Sequence, residues 1–402
     1  MRFDRTSKGE FHDDPQLFSQ TNQNEGVSMV TSIMKSSRAI VALVAIVAVT
    51  FALLWVGCSN EPQSPISPSA AVQQQGGTLS KSSPQLQAVM AVQNRHTDRL
   101  LAIRGVVGTA TGLTDEGKLA VKIYTVERGA EAALPQTLEG VPVVVEATGA
   151  FFALQSADDK GVRGDAKGGG ATKINPTARF VRPVPIGVST GNEGECSAGT
   201  IGARVKSGTK VYALSNNHVY ALENKAPIGS SVLQPGRYDV GCALIPSDAI
   251  GTLSAFVQIQ FGGSDNTVDA AIAVSSTGNL GNGTPSNGYG VPSSTTVVEF
   301  VGQPVQKYGR TTGLTKGKVS GINATVNVDY GSSGVARFVG QIVVSGNKGP
   351  FTKAGDSGSL IVTNDSSTNP VGLLFAGSSN GTAIANKIGD VLSAFNVTID
   401  GK

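Results

Sequence analysis

Histidine and cysteine are scarce in this chain: three of each in 402 residues. Any mechanism that needs an imidazole must use His12, His96 or His218. No cluster of Cys, His, Asp and Glu with ligand-like spacing is present, so no metal or other cofactor is expected. Charge is sparse as well, at 15% of residues with a formal net charge of +3. That balance is too small to argue for nucleic acid or an acidic partner. Basic residues are scattered and aromatics make up 5%, so no stacking platform for bases is visible. Glycine, at 51 residues, stands where charge is missing. That composition fits an exported, turn-rich β protein better than a cytosolic helical one, and the length allows two or three domains.

The N-terminal region, residues 1–58, reads as an extension followed by an export signal. Residues 1–33 are polar and patternless. Met34-Lys35-Ser36-Ser37-Arg38 then introduces an apolar run from Ala39 to Gly57. Positive residues ahead of an apolar stretch mark export, and such signals sit at a terminus, which favours Met29 or Met34 as the true start. Leu54-Trp55-Val56-Gly57-Cys58-Ser59 resembles a bacterial lipoprotein cleavage box with Cys58 as the acylated residue, although Trp55 departs from the usual residue there. The alternative is an uncleaved anchor, since the run is just long enough to span a bilayer. Either way the remainder lies outside the cytoplasm, secreted or held to the membrane by lipid or anchor.

Residues 59–83, rich in Ser, Pro and Gln, form a flexible tether. Residues 84–155 form a small α/β domain. Ser83 and Pro84 start a helix whose partly apolar face carries Leu86, Val89, Met90, Leu100 and Leu101. His96 on this helix is a surface or packing residue. Val106–Leu113 and Lys118–Thr125 make a hairpin across Thr114-Asp115-Glu116-Gly117, a short helix is expected within Ala130 to Gln136, and Val141–Thr148 is a third strand. The unit is near the lower size limit for folding alone. It is either a pro-domain, chaperone or inhibitory cap, or a structural spacer. Residues 156–185, with Gly168-Gly169-Gly170, are a linker open to proteolytic nicking.

From 186 to 402 the texture is short strands and glycine turns, including Gly199–Val205, Lys210–Ser215, Thr295–Phe300, Pro304–Tyr308, Lys318–Ile322, Thr325–Tyr330, Ala336–Val344, Ser359–Val362 and Val371–Phe375. That pattern argues for β-barrels. Within it lies Gly355-Asp356-Ser357-Gly358-Ser359. Glycines on both sides permit a tight turn, and consecutive N–H groups in such a turn can hold an oxyanion. Ser357 is then a candidate nucleophile, but serine needs a base. His218 is the histidine of this region, at the end of a strand-like run. Asp269 precedes the apolar stretch Ala270 to Val274, where its carboxylate can orient an imidazole.

The order His218, Asp269, Ser357, with Asn217-His218, Val268-Asp269-Ala270-Ala271 and the Gly-Asp-Ser-Gly turn, resembles the three signatures of trypsin-like (chymotrypsin-fold) serine peptidases. Gly309-Arg310-Thr311-Thr312-Gly313 is similar to a segment of the family's bacterial branch. The resemblance covers roughly residues 186–402; Val219 stands where animal members usually carry cysteine. It implies a mainly β fold with two six-stranded antiparallel barrels, the triad between them, and a serine endopeptidase acting on peptide or protein substrates. The oxyanion donors are then the N–H groups of Gly355 and Ser357. Phe351 and Thr352 fall near the floor of the pocket for the residue before the scissile bond, and Leu374, Phe375, Ala376 and Gly377 line its wall. An apolar pocket of this kind favours small to medium apolar side chains.

Cys196 and Cys242 bracket His218. The family's bridge near that histidine implies a disulfide, against two buried thiols. Asp356, buried beneath the oxyanion turn, needs a cation. Arg310 is the expected partner, by resemblance to the bacterial segment; a freed amine at Ile186, as in animal zymogens, is the other. Two non-peptidase readings remain: a catalytically silent peptidase fold used for binding at the cell surface, and an anchored adhesion or scaffold protein, which leaves the triad unexplained.

Overall fold

The computed structural model describes residues 83–129, 134–154 and 174–402. Cys58, the export signal, the tether up to residue 82, most of the glycine-rich linker and part of the expected 130–136 helix lie outside them. The described chain is mainly β.

It starts with helix α1 (Pro84–Leu101). The Ser83 hydroxyl accepts a hydrogen bond from the Leu86 N–H at 3.2 Å, with Pro84 behind it in the first turn. Such a cap contributes about 1 kcal/mol. Leu86, Val89, Val92 and Leu100 face inward, as the helical spacing predicts. Strands β1 (Val106–Leu113) and β2 (Leu119–Thr125) form the expected hairpin. After β3 (Thr137–Leu138), β4 (Val141–Ala147) runs parallel to β2. A short strand, β5 (Phe151–Ala153), closes this segment.

The next strands are β6 (Ser189–Asn192), β7 (Gly199–Thr200), β8 (Ala203–Ser207) and β9 (Lys210–Ser215), followed by one helical turn, α2 (Asn217–Tyr220). Then come β10 (Ser231–Leu233), β11 (Ala249–Phe256), β12 (Asp265–Asn266) and β13 (Ala271–Ser275). The C-terminal part holds β14 (Pro304–Gly309), β15 (Gly313–Asp329), β16 (Val335–Gly346), β17 (Leu360–Thr363), β18 (Pro370–Ser378) and β19 (Ala383–Lys387). Helix α3 (Ile388–Phe395) and β20 (Thr398–Ile399) end the chain.

Two sheets result. One runs β20-β8-β9-β13-β11-β10-β6-β7. In the other, β16-β19-β18-β17-β14-β15 closes on itself because β15 also pairs with β16. That is a six-stranded antiparallel barrel. The strand count departs from two sixes for a physical reason: unpaired strand edges recruit neighbours. Short β7 and β20 extend the first sheet, and the N-terminal strands β1, β2, β4 and β3 extend the second from β15. β1 pairs with β15 through Gly108↔Val326, Thr109↔Thr325, Thr111↔Ile322 and Gly112↔Gly321. Buried Gln93 of α1 reinforces the junction, donating to the Asn323 carbonyl at 2.8 Å.

Two expectations about strands need correction. Thr295–Phe300 is not a strand: the Val297 N–H donates to the Pro370 carbonyl at 3.0 Å, but no ladder follows, and Val298 is 64% exposed. Lys318–Ile322 and Thr325–Tyr330 form one long strand, β15, whose pairing with β16 is shifted in register on both sides of Ala324.

Leu154, Phe351 and Leu374 share an apolar cluster with the inward face of α1. A second cluster fills the first sheet. A third, with Leu214, Ala270, Leu360 and Leu373, joins the two sheets and α3. Burial of this kind is worth about 25 cal/mol per Å² of apolar surface.

Candidate active site

The first sheet supplies two polar groups to the junction. β9 ends at Ser215, and the turn α2 that follows carries His218. Asp269 lies two residues before β13, which pairs with β9 at Ala271↔Ser215. The register therefore brings His218 and Asp269 together: Nδ1 of the imidazole is 2.6 Å from Asp269 Oδ2. The backbone N–H groups of Asn217 and His218 donate to Oδ1 at 2.7 and 3.3 Å. Asn216 donates to the Asp269 carbonyl at 2.7 Å, and Asn386 of β19 accepts from the Asp269 N–H at 3.0 Å. Both His218 and Asp269 are fully buried. The carboxylate thus fixes which imidazole nitrogen faces it.

Tyr330, just beyond β15, was not foreseen. Its hydroxyl donates to Asp269 Oδ2 at 2.8 Å and its ring meets that of His218 edge-on, centroids 5.9 Å apart. Burial, then the nearby Asp269 charge, push the Tyr330 phenol well above its ordinary pKa. It stays protonated and remains a donor. Nothing local in the sequence announces this role, because Tyr330 is 61 residues from Asp269.

The second barrel supplies the serine turn. Gly355 and Gly358 both have φ of 92°, a region that penalises a β-carbon. A β-carbon on Gly358 would stand 2.2 Å from Ser215 Oγ and 2.3 Å from the Thr200 carbonyl. The turn is therefore pressed against the end of β9, three residues before His218. The Thr200 N–H donates to the Ser357 carbonyl at 2.7 Å, and its hydroxyl donates to the Gly355 carbonyl at 2.9 Å. Ser357 is fully buried and its hydroxyl donates to the Phe375 carbonyl at 3.0 Å.

Asp356 overturns one expectation. Its carboxylate meets Lys307, not Arg310 and not an amine at Ile186. Lys307 Nζ lies 3.1 Å from Asp356 Oδ2, with both side chains fully buried. The N–H groups of Thr311 and Thr312 donate to Oδ1 at 2.9 and 3.1 Å, and the Thr312 hydroxyl donates to Oδ2 at 2.7 Å. Burial pulls the Lys307 ammonium below its ordinary pKa, against the opposing pull of Asp356. Arg310 instead forks onto Asp239, with Nε at 2.8 Å from Oδ2 and NH2 on Oδ1. The reason is strand geometry. Lys307 points inward from β14, whereas Arg310 leaves the end of that strand and meets the turn at Arg237–Val240. Ile186 is buried, and its N–H donates to the Gly283 carbonyl at 3.1 Å.

Cys196 and Cys242 are joined as a disulfide. It secures the turn that bears Asp239, since Arg237 also holds the Cys242 carbonyl at 2.7 Å.

The expected pocket residues divide. Phe351 and Leu374 lie in one apolar cluster with Leu154. A β-carbon on Gly377 would stand 2.7 Å from Thr352 Cγ2 and 3.1 Å from Leu154 Cδ1, so Thr352 and Gly377 border the same space. Phe375 and Ala376 belong to a different cluster, and the Phe375 ring packs 4.6 Å from Phe338. Phe375 therefore reaches the site through its backbone, because strand alternation turns its side chain to the other face.

Three kinds of likeness bear on this chain. Residues 238–401 match the family model described as the Nal1 C-terminal domain. Streptogrisin-A of Streptomyces griseus is 39% identical over 104 residues, which is 25% of this chain and 31% of that protein. The matched part thus spans less than a third of that relative. Thermobifida fusca Protease A covers 55% of this chain and 99% of its own, at 19% identity and a TM-score of 0.40. Cellulomonas bogoriensis chymotrypsin covers 55% and 99%, at 22% identity and 0.38. The sequence likeness to a serine peptidase is thus confined to a quarter of this chain.

Proposed function

We propose that this protein is a serine endopeptidase. The observation that carries the reading is the buried His218–Asp269 pair, 2.6 Å apart, beside a glycine-flanked serine turn braced on the same strand. In this mechanism the Ser357 hydroxyl turns from the Phe375 carbonyl toward His218 and attacks a peptide carbonyl. His218 accepts the proton and delivers it to the leaving amine. Asp269 holds the tautomer and stabilises the imidazolium. The N–H groups of Gly355 and Ser357 stabilise the oxyanion, each worth roughly 3–4 kcal/mol. Water then attacks the acyl-enzyme by the same route in reverse.

The lipid at Cys58, the extracytoplasmic location and the division into extension, tether, small domain, linker and peptidase domain belong to the same proposal. They rest on the sequence pattern around residues 34–58 and on the composition breaks at 59–83 and 156–185. Mass spectrometry of membrane-extracted protein would find an acylated terminal cysteine; an intact Met29 or Met34 terminus would favour the uncleaved anchor.

The test of activity is labelling of the full chain by a fluorophosphonate, which needs an activated serine. Labelling and peptide hydrolysis should disappear in Ser357→Ala and in His218→Ala while the fold persists. A chain inert to both probe and peptides after its linker has been nicked is a binding module.

A further inference from the structure

The Gly355 N–H points away from the serine turn. It donates to the carbonyl of Leu154 at 2.8 Å, just past β5, which pairs antiparallel with β18 through Ala153 opposite Ala376. That direction is not set by Gly355 alone. A peptide unit is planar, so the Gly355 N–H and the Ala354 carbonyl turn together. Gly355 has φ of 92° and no β-carbon to oppose rotation of this unit. Whatever holds the Ala354 carbonyl therefore aims the N–H.

Thr311 holds it. The Thr311 hydroxyl donates to the Ala354 carbonyl at 2.6 Å, and its oxygen accepts from Arg310 Nη1 at 3.0 Å. A hydroxyl has one proton to give. With the guanidinium on its acceptor side, that proton is committed to the carbonyl. The guanidinium is itself forked onto Asp239, in the turn that the Cys196–Cys242 bridge secures. The Thr311 N–H donates to Asp356 Oδ1 at 2.9 Å, so Thr311 grips the serine turn on both sides of Gly355. The other expected oxyanion donor is aimed differently. The Ser357 N–H shares its peptide unit with the Asp356 carbonyl, which accepts from the Ser359 hydroxyl at 2.6 Å and the Ser359 N–H at 3.0 Å. One donor is set from inside the turn and the other from outside it.

We infer that Thr311 is a positioning residue for the oxyanion. Its hydroxyl, oriented by Arg310, keeps the Gly355 N–H directed at the carbonyl under attack. Chained hydrogen bonds polarise one another, so the same contact strengthens Gly355 as a donor. The Asp239–Arg310 pair acquires a purpose in this way: it anchors the relay that ends at the Ala354 carbonyl. The Thr311 side chain is exposed, so it can be replaced without opening a cavity in the core.

This assignment rests on the peptidase reading, in which the Gly355 N–H meets an oxyanion. The full chain, Thr311→Val and Thr311→Ser are compared by fluorophosphonate labelling, by hydrolysis of a leucyl peptide anilide, and by inhibition with the matching peptide aldehyde and peptide alcohol. Ser357 Oγ adds to the aldehyde carbon, its proton passes to His218, and the carbonyl oxygen becomes the oxyanion. The alcohol forms none. Removing an oxyanion donor outright costs roughly 10²–10³-fold. Misdirecting one in Thr311→Val should lower kcat about tenfold, with KM within about twofold. The aldehyde should weaken by the same factor as kcat, while the alcohol binds as before. Thr311→Ser keeps the hydroxyl and should recover most of the loss. Arg310→Ala should also lower kcat, and adding Thr311→Val to it should cost little more; fully additive losses would remove Arg310 from the relay. An active chain in which Thr311→Val changes neither kcat nor aldehyde inhibition overturns the assignment and leaves the peptidase standing. Equal weakening of aldehyde and alcohol also overturns it, because the cleft rather than the oxyanion was then disturbed. A chain that is unlabelled and inactive on the anilide removes both.

Discussion

The Tyr330 hydroxyl and the His218 imidazole meet on one oxygen, Oδ2 of Asp269, at 2.8 and 2.6 Å. That oxygen therefore has a second fixed donor besides the histidine, and this donor comes from the sheet that does not carry Asp269. The His–Asp pair is held in place by the sheet that carries the serine.

Tyr330→Phe tests that linkage. It removes one hydrogen bond to a charged acceptor, worth about 1.5–3 kcal/mol, and keeps the ring against His218. The expected result is a fall in kcat of roughly ten- to a hundredfold with KM nearly unchanged. An unchanged kcat on the anilide would reduce Tyr330 to packing.

Lys307→Met should destabilise the chain by about 3–5 kcal/mol, because it strands a buried carboxylate. Adding Asp356→Asn should restore part of that loss, since the charge is then gone. Arg310→Ala should leave Asp356 its Lys307 partner and act through Asp239, the Thr311 hydroxyl and the Tyr238 ring. Urea denaturation of the three variants separates these outcomes; equal losses in Lys307→Met and in the double variant would refute the pairing.

Gly377→Ala should narrow the pocket. Its β-carbon would stand 2.7 Å from Thr352 and 3.1 Å from Leu154. The variant is expected to lose kcat/KM on the leucyl anilide by roughly tenfold or more, and less on an alanyl one. A parallel fall on both substrates would mean that the backbone, not the pocket, was disturbed.

Acid stability should depend on Glu139. Its hydrogen bonds to Arg95 and His96 lower its carboxyl to about 2, below an ordinary value of about 4.5. A folded-state pKa below the unfolded one adds stability that is present above pH ~4.5 and lost as pH falls toward ~2. Glu139→Gln should thus lower the midpoint of thermal unfolding at pH 6 and make no difference near pH 2. The exposed position keeps the effect small, and a constant offset across that range would contradict it.

What is written locally was legible. Gly355 to Ser359 is one turn, and only one histidine shares its region, so the contact between His218 and Asp269 could be expected from residue types and order. Ser83 and Pro84 likewise marked the helix start. Partners chosen across the fold were not legible. Lys307 and Arg310 are three residues apart, and which of them faces Asp356 depends on the inward face of β14 and on Asp239 arriving from a distant turn. β5 is three residues long, and its meaning comes from a register with β18 more than two hundred residues away. Val298 shows the converse: good strand residues stay exposed where the chain forms no strand.

β15 is bonded on both sides between Gly321 and Val326, to β16 on one and to β1 on the other. A barrel expressed without residues 83–154 would present those backbone groups as an open edge. Such an edge is a template for the next chain's strand. The N-terminal segment is in this sense a guard against self-association. A truncated barrel should be recovered as oligomers or precipitate, and its solubility should return when the missing segment is supplied as a separate polypeptide.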